Sequence, residues 1–335
     1  MPMLRRALCC AVLASTSACL EAPRVVAEGE GEGEGEGEGE GEGVFDFPDP
    51  FVVNAVEAGA GDIDADFVGF ATTDEIDNVP TAFADDLAGP WRRDGDAMPV
   101  LPSWASTEAG YVWAPAVLKR DDQYILYFTA RDDNTGFQCI GRATASSLRG
   151  PYVDESDDPF VCQVVEPEAL CGSIDPSVLV DDNDDAWLLW KSDENAPGCG
   201  ADSRLWSQRL SADGERLVGD RHVLLIHDAA WEAPLIEGPA LFQIPDGDLI
   251  LFYSANRWET DDYAIGFARC DSPAGPCTKV TTAAPWLSST SGPGGPEVVR
   301  DGAGAPVLTF HAWTGPDATG VRMIRALPLD VATLP

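Results

Sequence analysis

The sequence predicts an all-β protein, a five-bladed β-propeller with four-stranded antiparallel blades. Five short segments open in the same way, and helix signals are nearly absent. The segments are DPFVV, APAVL, DPSVL, GPALF and GPEVV, with prolines roughly every 60 residues at Pro50, Pro115, Pro176, Pro239 and Pro296. Self-similarity at a fixed period is typical of repeated units that bury one core together. Five units favour a radial array of small sheets over a β-sandwich with coincidental prolines.

Each unit continues with a second apolar run that ends in a small polar residue. The runs are FVGFATT, YILYFTA, WLLWKS, LILFYSA and PVLTFHA. Their β-branched and aromatic content is typical of strands. Turn-rich stretches such as DDNDD and PDGD precede four of the five runs, which suits hairpins between antiparallel strands.

The N-terminus has the features of an export signal. Arg5 and Arg6 precede the run ALCCAVLA, which is too short to span a membrane, and small residues then lead to Cys19. This arrangement resembles the lipobox of bacterial lipoproteins, although Thr16 stands where those proteins usually have Leu. It predicts a lipoprotein-type signal peptide over residues 1–19 and lipidation of Cys19, with ordinary signal cleavage as the alternative.

A spacer and a single large domain are expected after the signal. Residues 28–43 alternate Glu and Gly, so 20–43 should form a disordered spacer, and 44–335 the propeller. Leu20 and Glu21 follow the cysteine, and by resemblance to lipoprotein sorting they favour the outer membrane; a secreted protein is the alternative. We expect a monomer that touches the membrane only through its N-terminal lipid.

Charge restricts the partners that the protein can bind. The net charge is −36, eight glutamates of the spacer included, and such a surface repels phosphate backbones. Nucleic acid is therefore excluded as a partner, polyanionic glycans are disfavoured, and a neutral oligosaccharide or polysaccharide fits better.

Six cysteines remain once Cys9, Cys10 and Cys19 are set aside. An even number in an exported chain favours disulfides, for which fifteen pairings are formally possible. The hairpin-like DSPAGP is flanked by one pair, and proximity in sequence suggests the other two. The expected pairs are Cys270–Cys277, Cys139–Cys162 and Cys171–Cys199. A zinc site is disfavoured because the chain has no CxxC pair and three histidines.

Three carboxylates lie at the start of repeated units. Asp49 and Asp175 directly precede a proline, and Glu237 lies one residue further back in its unit. The residue before a strand-opening proline is expected to be extended, and the first strand of a propeller blade lines the central channel. All three side chains should therefore reach one pocket. Two carboxyl groups across a sugar provide the acid and the base of glycoside hydrolysis, and a third keeps the acid protonated.

The same segments resemble a known family. FPDPFVV, YVWAPAV, SIDPSVLVDDNDDAWLLW, LIEGPALF and GRATASSLRGPY together look like glycoside hydrolase family 43 and its relatives, five-bladed propellers that cleave arabinose- or xylose-containing glycans with inversion. The resemblance implies that Asp49 is the general base, that Glu237 is the general acid, and that Asp175 orients Glu237 and tunes its pKa.

Two further acids compete for these roles. Asp46 and Glu232 each lie an odd number of residues from their rival, so on a continuous strand each would face the other way. WEAP at Trp231 is similar to the acid motif of the invertase-like families, but their WxNDP and RDP motifs are absent from the sequence.

Sugar recognition in such pockets uses aromatic faces and a few polar anchors. Trp113 and Trp258 are candidates for the pocket wall, and Arg322 resembles the late arginine that contacts the sugar in the family, with a surface arginine as the alternative. His311 is a weak candidate for a metal ligand. Gly295 stands where the family often has a histidine in a GPGH motif, so a channel calcium is in doubt. No organic cofactor is expected.

We therefore expect an inverting glycosidase that acts on α-L-arabinofuranosides or β-D-xylosides. The alternative is a glycan-binding propeller lipoprotein that has lost turnover. Ala116, where the family usually has an acidic residue, gives that alternative some support, whereas the presence of all three acids argues against it.

Overall fold

The computed structural model describes residues 44–334 apart from 75, 109, 165–169, 201, 245–246 and 332–333. The predicted signal peptide, Cys19 and the Glu-Gly spacer lie outside the described residues. The helical structure in the described part is a single 3-10 turn, Ala230–Glu232. That part of the chain accordingly has no helix with the length and apolar character needed to cross a membrane.

Eighteen strands in the described residues form five antiparallel sheets, which are the blades. Blade 1 contains β1 (Phe51–Asn54), β2 (Phe67–Phe70), β3 (Pro80–Ala84) and β4 (Arg92–Asp96), and blade 2 contains β5 (Trp113–Arg120), β6 (Gln123–Arg131) and β7 (Gln138–Ala145). Blade 3 contains β8 (Ser173–Val180), β9 (Ala186–Ser192), β10 (Arg204–Leu210) and β11 (Leu217–Ile226). Blade 4 contains β12 (Ile236–Gln243), β13 (Leu249–Ala255), β14 (Ala264–Cys270) and β15 (Cys277–Lys279), and blade 5 contains β16 (Gly294–Arg300), β17 (Pro306–Gly315) and β18 (Thr319–Pro328).

The five-bladed propeller is confirmed, but the expectation of four strands in every blade is wrong for blades 2 and 5. Among the described residues after β7, Val153 and Val161 each form a single isolated bridge with the sheet edge. Two isolated bridges do not make a continuous fourth strand. Beside β18, the N-terminal segment contributes a hydrogen bond from the Phe47 N–H to the Arg322 carbonyl oxygen, at 2.7 Å.

The middle of a blade's second strand is mostly apolar because both of its faces are buried. In β6, Ile125 packs toward blade 3 and Leu126 toward blade 1; in β9, Leu188 packs toward blade 2 and Leu189 toward blade 4. Alternate side chains of a strand point to opposite faces, so each run supplies two blade interfaces. An apolar cluster lies between every pair of adjacent blades.

The first strands line the axis and close the ring. Each of β1, β5, β8, β12 and β16 neighbours the next, and β16 returns to β1. The residues at the start of these strands, one set from each blade, are thereby brought to one end of a central channel.

Three disulfides join the cysteines in the pairs expected from the sequence. Cys270–Cys277 links β14 to the short edge strand β15, Cys139–Cys162 links β7 to the segment that follows it, and Cys171–Cys199 links the segment before β8 to the loop between β9 and β10. Such bonds constrain the unfolded chain and are typical of proteins from oxidising compartments.

Candidate active site

The residue before each repeated proline adopts the same unusual backbone conformation. Asp49, Ala114, Asp175, Gly238 and Gly295 all have a positive φ, between 43° and 61°. The expected extended conformation is therefore wrong. In blades 2 to 5 the register of the first strand shifts at this residue, so each proline marks a β-bulge. A left-handed conformation costs a non-glycine residue about 1 kcal/mol or more, and such strain concentrates at functional sites.

Hydrogen bonds from these residues connect adjacent blades. In four cases the N–H is accepted by a side chain near the end of the preceding blade's second strand. The pairs are Ala114 with Thr72 Oγ1 at 2.8 Å, Asp175 with Thr129 Oγ1 at 3.2 Å, Gly295 with Ser254 Oγ at 2.9 Å and Asp49 with His311 Nδ1 at 3.0 Å. The last of these bonds joins blade 5 to blade 1.

Blade 3 departs from this pattern. Lys191 holds the position that Thr129 holds in blade 2, because each pairs with the residue two before the proline. An ammonium group has no acceptor lone pair. The Gly238 N–H donates instead to the Asp175 carboxylate Oδ2, at 3.0 Å.

Asp49 lies on the blade 1 side of the axis, with its side chain 30% exposed. The Thr72 hydroxyl donates to its Oδ2 at 2.7 Å. Burial raises the pKa of Asp49, while the Arg322 charge and the Thr72 hydrogen bond oppose that rise. The carboxylate thus keeps access to the cavity and is held in one orientation.

Asp175 is the most strongly perturbed acid of the site. Burial and the neighbouring Glu237 carboxylate raise its pKa to about 8, and the Lys191 charge and the Gly238 N–H oppose the rise. The negative charge of a neighbouring carboxylate disfavours ionisation of Asp175, so Asp175 keeps its proton near neutral pH.

Glu237 is held by two side chains that the sequence analysis did not identify. Lys191 Nζ lies 3.0 Å from its Oε2, and the Tyr263 hydroxyl donates to its Oε1 at 2.8 Å. Burial raises the pKa of Tyr263 well above its usual value, and Glu237, Asp49 and Asp175 raise it further. The Tyr263 ring also stacks on His311, whose Nδ1 lies 3.5 Å from Asp49 Oδ1. Asp175 accepts the N–H of Gly238, the residue after Glu237. All three predicted acids therefore lie near this tyrosine.

Arg322 and Trp258 lie together, on the Asp49 side of the site. The Arg322 guanidinium lies over the rings of Trp258 and Trp313, at 4.7 and 5.4 Å from their centroids, and its Nη2 is 2.8 Å from Asp46 Oδ2. Trp258 is 45% exposed and stacks on Trp313, another residue that the sequence analysis missed. Together they form an aromatic surface with a fixed cation.

Trp113 is half-buried and directly precedes Ala114. Its indole N–H donates to the Gly110 carbonyl oxygen at 2.8 Å, which fixes the ring beside the start of β5. Trp113 stays a candidate for the wall of the site on the blade 2 side.

The two competing acids have other partners. Asp46 holds Arg322 through its side chain and also accepts the Arg322 N–H at 2.6 Å. Glu232 is fully buried and contacts Lys279 at 2.7 Å, so it has no surface to offer a ligand.

The residues present do not fit a metal site at His311. Its Nδ1 accepts the Asp49 N–H, so in the neutral ring the buried Nε2 carries the proton and has no lone pair for a metal, and Gly295 supplies no side chain. Burial lowers the pKa of His311 to about 3, so the ring is neutral. The one group of three potential ligand residues within reach of each other in the described residues contains Asp132, Cys139 and Cys162, and its cysteines form a disulfide.

Lys191 could have been found from the sequence. The sequence pattern places the small polar residue of the WLLWKS run at Ser192. In the structure, Lys191 occupies the position that the small polar residue has in the other runs. The Ser192 hydroxyl instead donates to Glu194 at 2.6 Å. Tyr263 carries no such signal, because its place in the site depends on the path of the loop after blade 4's second strand.

Comparisons with known proteins point to one family. The sequence profile described as glycosyl hydrolases family 43 matches residues 48–330. A beta-D-galactofuranosidase, xynD, of Aspergillus niger is 25% identical over 184 residues, which cover 52% of this chain and 47% of that protein. A probable arabinan endo-1,5-alpha-L-arabinosidase A of Aspergillus flavus is 26% identical over 257 residues, covering 70% of this chain and 75% of that protein.

Solved structures share the fold. A thermostable family-43 glycoside hydrolase superimposes with a TM-score of 0.71 at 24% identity, covering 85% of this chain and 89% of the other. An endo-arabinase from Bacteroides thetaiotaomicron gives 0.66 at 20% identity, with 85% and 94% covered. The chain spans about half or less of the length of several curated relatives, including the galactofuranosidase. Because the family profile covers most of the sequence, the chain belongs to glycosyl hydrolases family 43, a family of glycosidases.

Proposed function

We propose that this protein is an inverting glycosidase that hydrolyses α-L-arabinofuranosides or β-D-xylosides. The observation that carries the proposal is the meeting of three carboxyl groups from three blades around Tyr263, one of them with a pKa raised to about 8. Relatives named as an arabinan endo-arabinosidase and a xylosidase/arabinosidase support the substrate class.

In the proposed reaction Glu237 is the general acid. It gives its proton to the glycosidic oxygen as the bond from that oxygen to the anomeric carbon breaks. Asp49 accepts a proton from the water that attacks the opposite face, so the product sugar has inverted configuration. Asp175 orients Glu237 and keeps a proton in the pair. No step needs an organic cofactor.

The aromatic surface of Trp258 and Trp313, with Arg322 across it, suits a neutral sugar. Aromatic rings contact the apolar face of a sugar, and a guanidinium donates hydrogen bonds to its hydroxyl groups. Trp113 would provide a second wall. A neutral glycan is consistent with the large negative charge of the chain.

The proposal is tested with the purified domain and three aryl glycosides: α-L-arabinofuranoside, β-D-xyloside and, because of the Aspergillus niger relative, β-D-galactofuranoside. We expect turnover of one of the first two, an inverted product by anomeric NMR, and loss of activity in Glu237→Gln and Asp49→Asn. Full activity in either variant would remove its assigned role, and a retained anomer would exclude the inverting mechanism.

A glycan-binding propeller without turnover is the second candidate. Its support comes from Ala116 and Gly295, which stand where the family usually has an acidic residue and often has a histidine. Calorimetry with arabino- and xylo-oligosaccharides would favour it if binding were measured while no product formed over long incubation.

We also propose that the protein is exported and anchored by a lipid on Cys19. The three disulfides and a relative named as an extracellular arabinofuranosidase, from Cellvibrio japonicus, support export. Radiolabelled palmitate should be incorporated into the full chain and not into Cys19→Ser. Equal labelling of the two would exclude this anchor.

A further inference from the structure

One position of the fivefold repeat differs from its equivalents in chemistry. Blades 1, 2, 4 and 5 place Thr72, Thr129, Ser254 and His311 there, and each accepts a backbone N–H from the following blade. Blade 3 places Lys191 there, which can only donate. The single departure falls at the interface between the blades of Asp175 and Glu237.

Lys191 is buried among acids. It is 1% exposed, and its Nζ lies 3.0 Å from Glu237 Oε2 and 3.3 Å from Asp193 Oδ1. Burial lowers the pKa of Lys191, but Glu237, Asp193 and Asp175 more than compensate and raise it above its usual value. The side chain therefore stays charged at the working pH of a glycosidase.

The departure affects both acids. Since Lys191 cannot accept the Gly238 N–H, that group is left for Asp175 Oδ2, at 3.0 Å. The ammonium at the same time holds Glu237. A hydroxyl at this position would accept the N–H, as in blades 1 and 2, and would leave both carboxyl groups without these contacts.

We propose that Lys191 is a positioning residue that orients Asp175 and Glu237 together and stabilises the negative charge that appears on Glu237 as its proton passes to the glycosidic oxygen. This inference rests on the proposed function. The proton moves from Glu237 to the departing oxygen, which keeps the electron pair of the broken bond, and Lys191 keeps all its protons. A fixed positive charge beside developing negative charge favours the transition state over the ground state.

The decisive variant is Lys191→Thr, because threonine is the natural residue at the same position in blades 1 and 2. We expect a folded protein whose kcat falls roughly 10²- to 10³-fold, as on removal of one preorganised charge-stabilising donor, with little change in KM. The alkaline limb of its kcat/KM profile should move to higher pH, because the acid pair loses a neighbouring positive charge. Lys191→Arg should restore part of kcat and the position of the limb.

Lys279→Thr is the matched control. Lys279 is a second lysine with glutamate and aspartate partners, its side chain is 7% exposed, and it lies outside the site. We expect it to lower stability and to leave kcat and the pH profile unchanged. If Lys191 were only a packing residue, Lys191→Thr would behave in the same way as Lys279→Thr, and that result would overturn the proposal.

A second measurement is independent of turnover, so the two proposals can fail separately. The thermal unfolding midpoint is followed from pH 4 to pH 8 in the wild type and the two Lys191 variants; Lys279→Thr is left out because it also removes the counter-charge of a buried glutamate. In Lys191→Thr the midpoint should fall more steeply with rising pH, since the acid pair has lost its counter-charge, and Lys191→Arg should keep the wild-type slope. A wild type without activity on any glycoside would end the proposed function, whereas a wild-type slope in Lys191→Thr would end this inference.

Discussion

Two buried lysines of this propeller belong to networks with the same four residue types, although only one network faces the central axis. In each, a lysine contacts a glutamate and an aspartate, and a tyrosine hydroxyl donates to the glutamate at 2.8 Å. The axial network consists of Lys191, Asp193, Glu237 and Tyr263, and the sealed network consists of Lys279, Asp228, Glu232 and Tyr253.

The networks differ in how completely the glutamate is enclosed. Glu232 is 0% exposed, and the N–H groups of Asp228 and Ala229 donate to it at 3.1 and 3.0 Å in addition to Lys279. The side chain of Glu237 is 13% exposed and borders Asp175, whose pKa it raises. A saturated, enclosed ion pair stabilises a fold. The same groups with one open side and a second acid nearby can carry chemistry.

Replacing each glutamate by glutamine should lower turnover in the axial network only. Glu237→Gln should lose about 10²- to 10⁴-fold in kcat, because a positioned general acid contributes that much. Glu232→Gln should keep its activity per folded molecule. Each variant leaves a buried lysine, Lys191 or Lys279, without its glutamate partner, so both should lose unfolding free energy, by up to about 3–5 kcal/mol.

The measurements are steady-state kinetics and urea denaturation of both variants. Equal losses of kcat in the two variants would contradict the claim that only the axial network takes part in catalysis.

The second acid gives the axial network its own dependence of stability on pH. The pKa of Asp175 rises from 3.8 to about 8 on folding, so between these values the folded state binds more protons than the unfolded state. Its contribution to stability is complete below pH 3.8 and is lost as the pH rises toward 8, by at most about 1.4 kcal/mol per pH unit. Asp175→Asn should remove this slope and also lower kcat.

Glu297→Gln is the comparison for that variant. Glu297 is also a buried acid, whose pKa burial raises to about 7, and its carboxylate accepts the Ser177 hydroxyl at 3.0 Å. Glu297→Gln should make the stability less dependent on pH between pH 4.5 and 7, and kcat should stay at the wild-type value. Stability profiles of the two variants that coincide with the wild type would show that neither acid is protonated in the folded state.

The variant Gly295→Ala tests how closely blade 5 packs against Asp49, the proposed general base. Gly295 has a φ of +61°, and a Cβ added there would lie 3.0 Å from His311 Nδ1 and 3.2 Å from Asp49 Oδ1. Gly295→Ala should cost about 1–2 kcal/mol of stability through its left-handed conformation. It should also displace Asp49, with a fall of about tenfold in kcat, equivalent to ~1.4 kcal/mol.

Gly304→Ala separates these two effects. Gly304 has a φ of +80°, and a Cβ there would meet no atom within 4 Å. Gly304→Ala should lose a similar amount of stability, and its kcat should equal that of the wild type. Equal kcat values for the two variants would mean that Asp49 is not held by this contact.

Repeats in the sequence were sufficient to predict the five blades, because every second strand must be apolar on both faces to fill two interfaces. The missing fourth strands of blades 2 and 5 were not predictable in this way. Edge segments carry few buried residues, and whether Val153 and Val161 join a strand or make single bridges depends on loop geometry.

The acids were easier to predict than the residues that hold them. Asp49, Asp175 and Glu237 stand at fixed offsets from repeated prolines, whereas Lys191 was hidden by an alignment one residue out of register with the other runs. Tyr263 and Trp313 reach the site through loops and neighbouring blades. No local pattern records such tertiary contacts.

Replacing Trp258 should have the smallest effect of these substitutions, because its side chain is the most exposed of the proposed sugar-binding residues. It is 45% exposed, and its ring carries the Arg322 guanidinium at 4.7 Å. Trp258→Ala removes an exposed cation–π contact worth about 0.5–1 kcal/mol, so KM should rise roughly two- to fivefold while kcat changes little. Trp258→Phe keeps an aromatic ring, so its KM should lie between those of the wild type and Trp258→Ala. Because the ring is at the rim, oligosaccharides should show a larger rise in KM than an aryl monoglycoside. An equal rise for both substrates would place Trp258 against the terminal sugar instead.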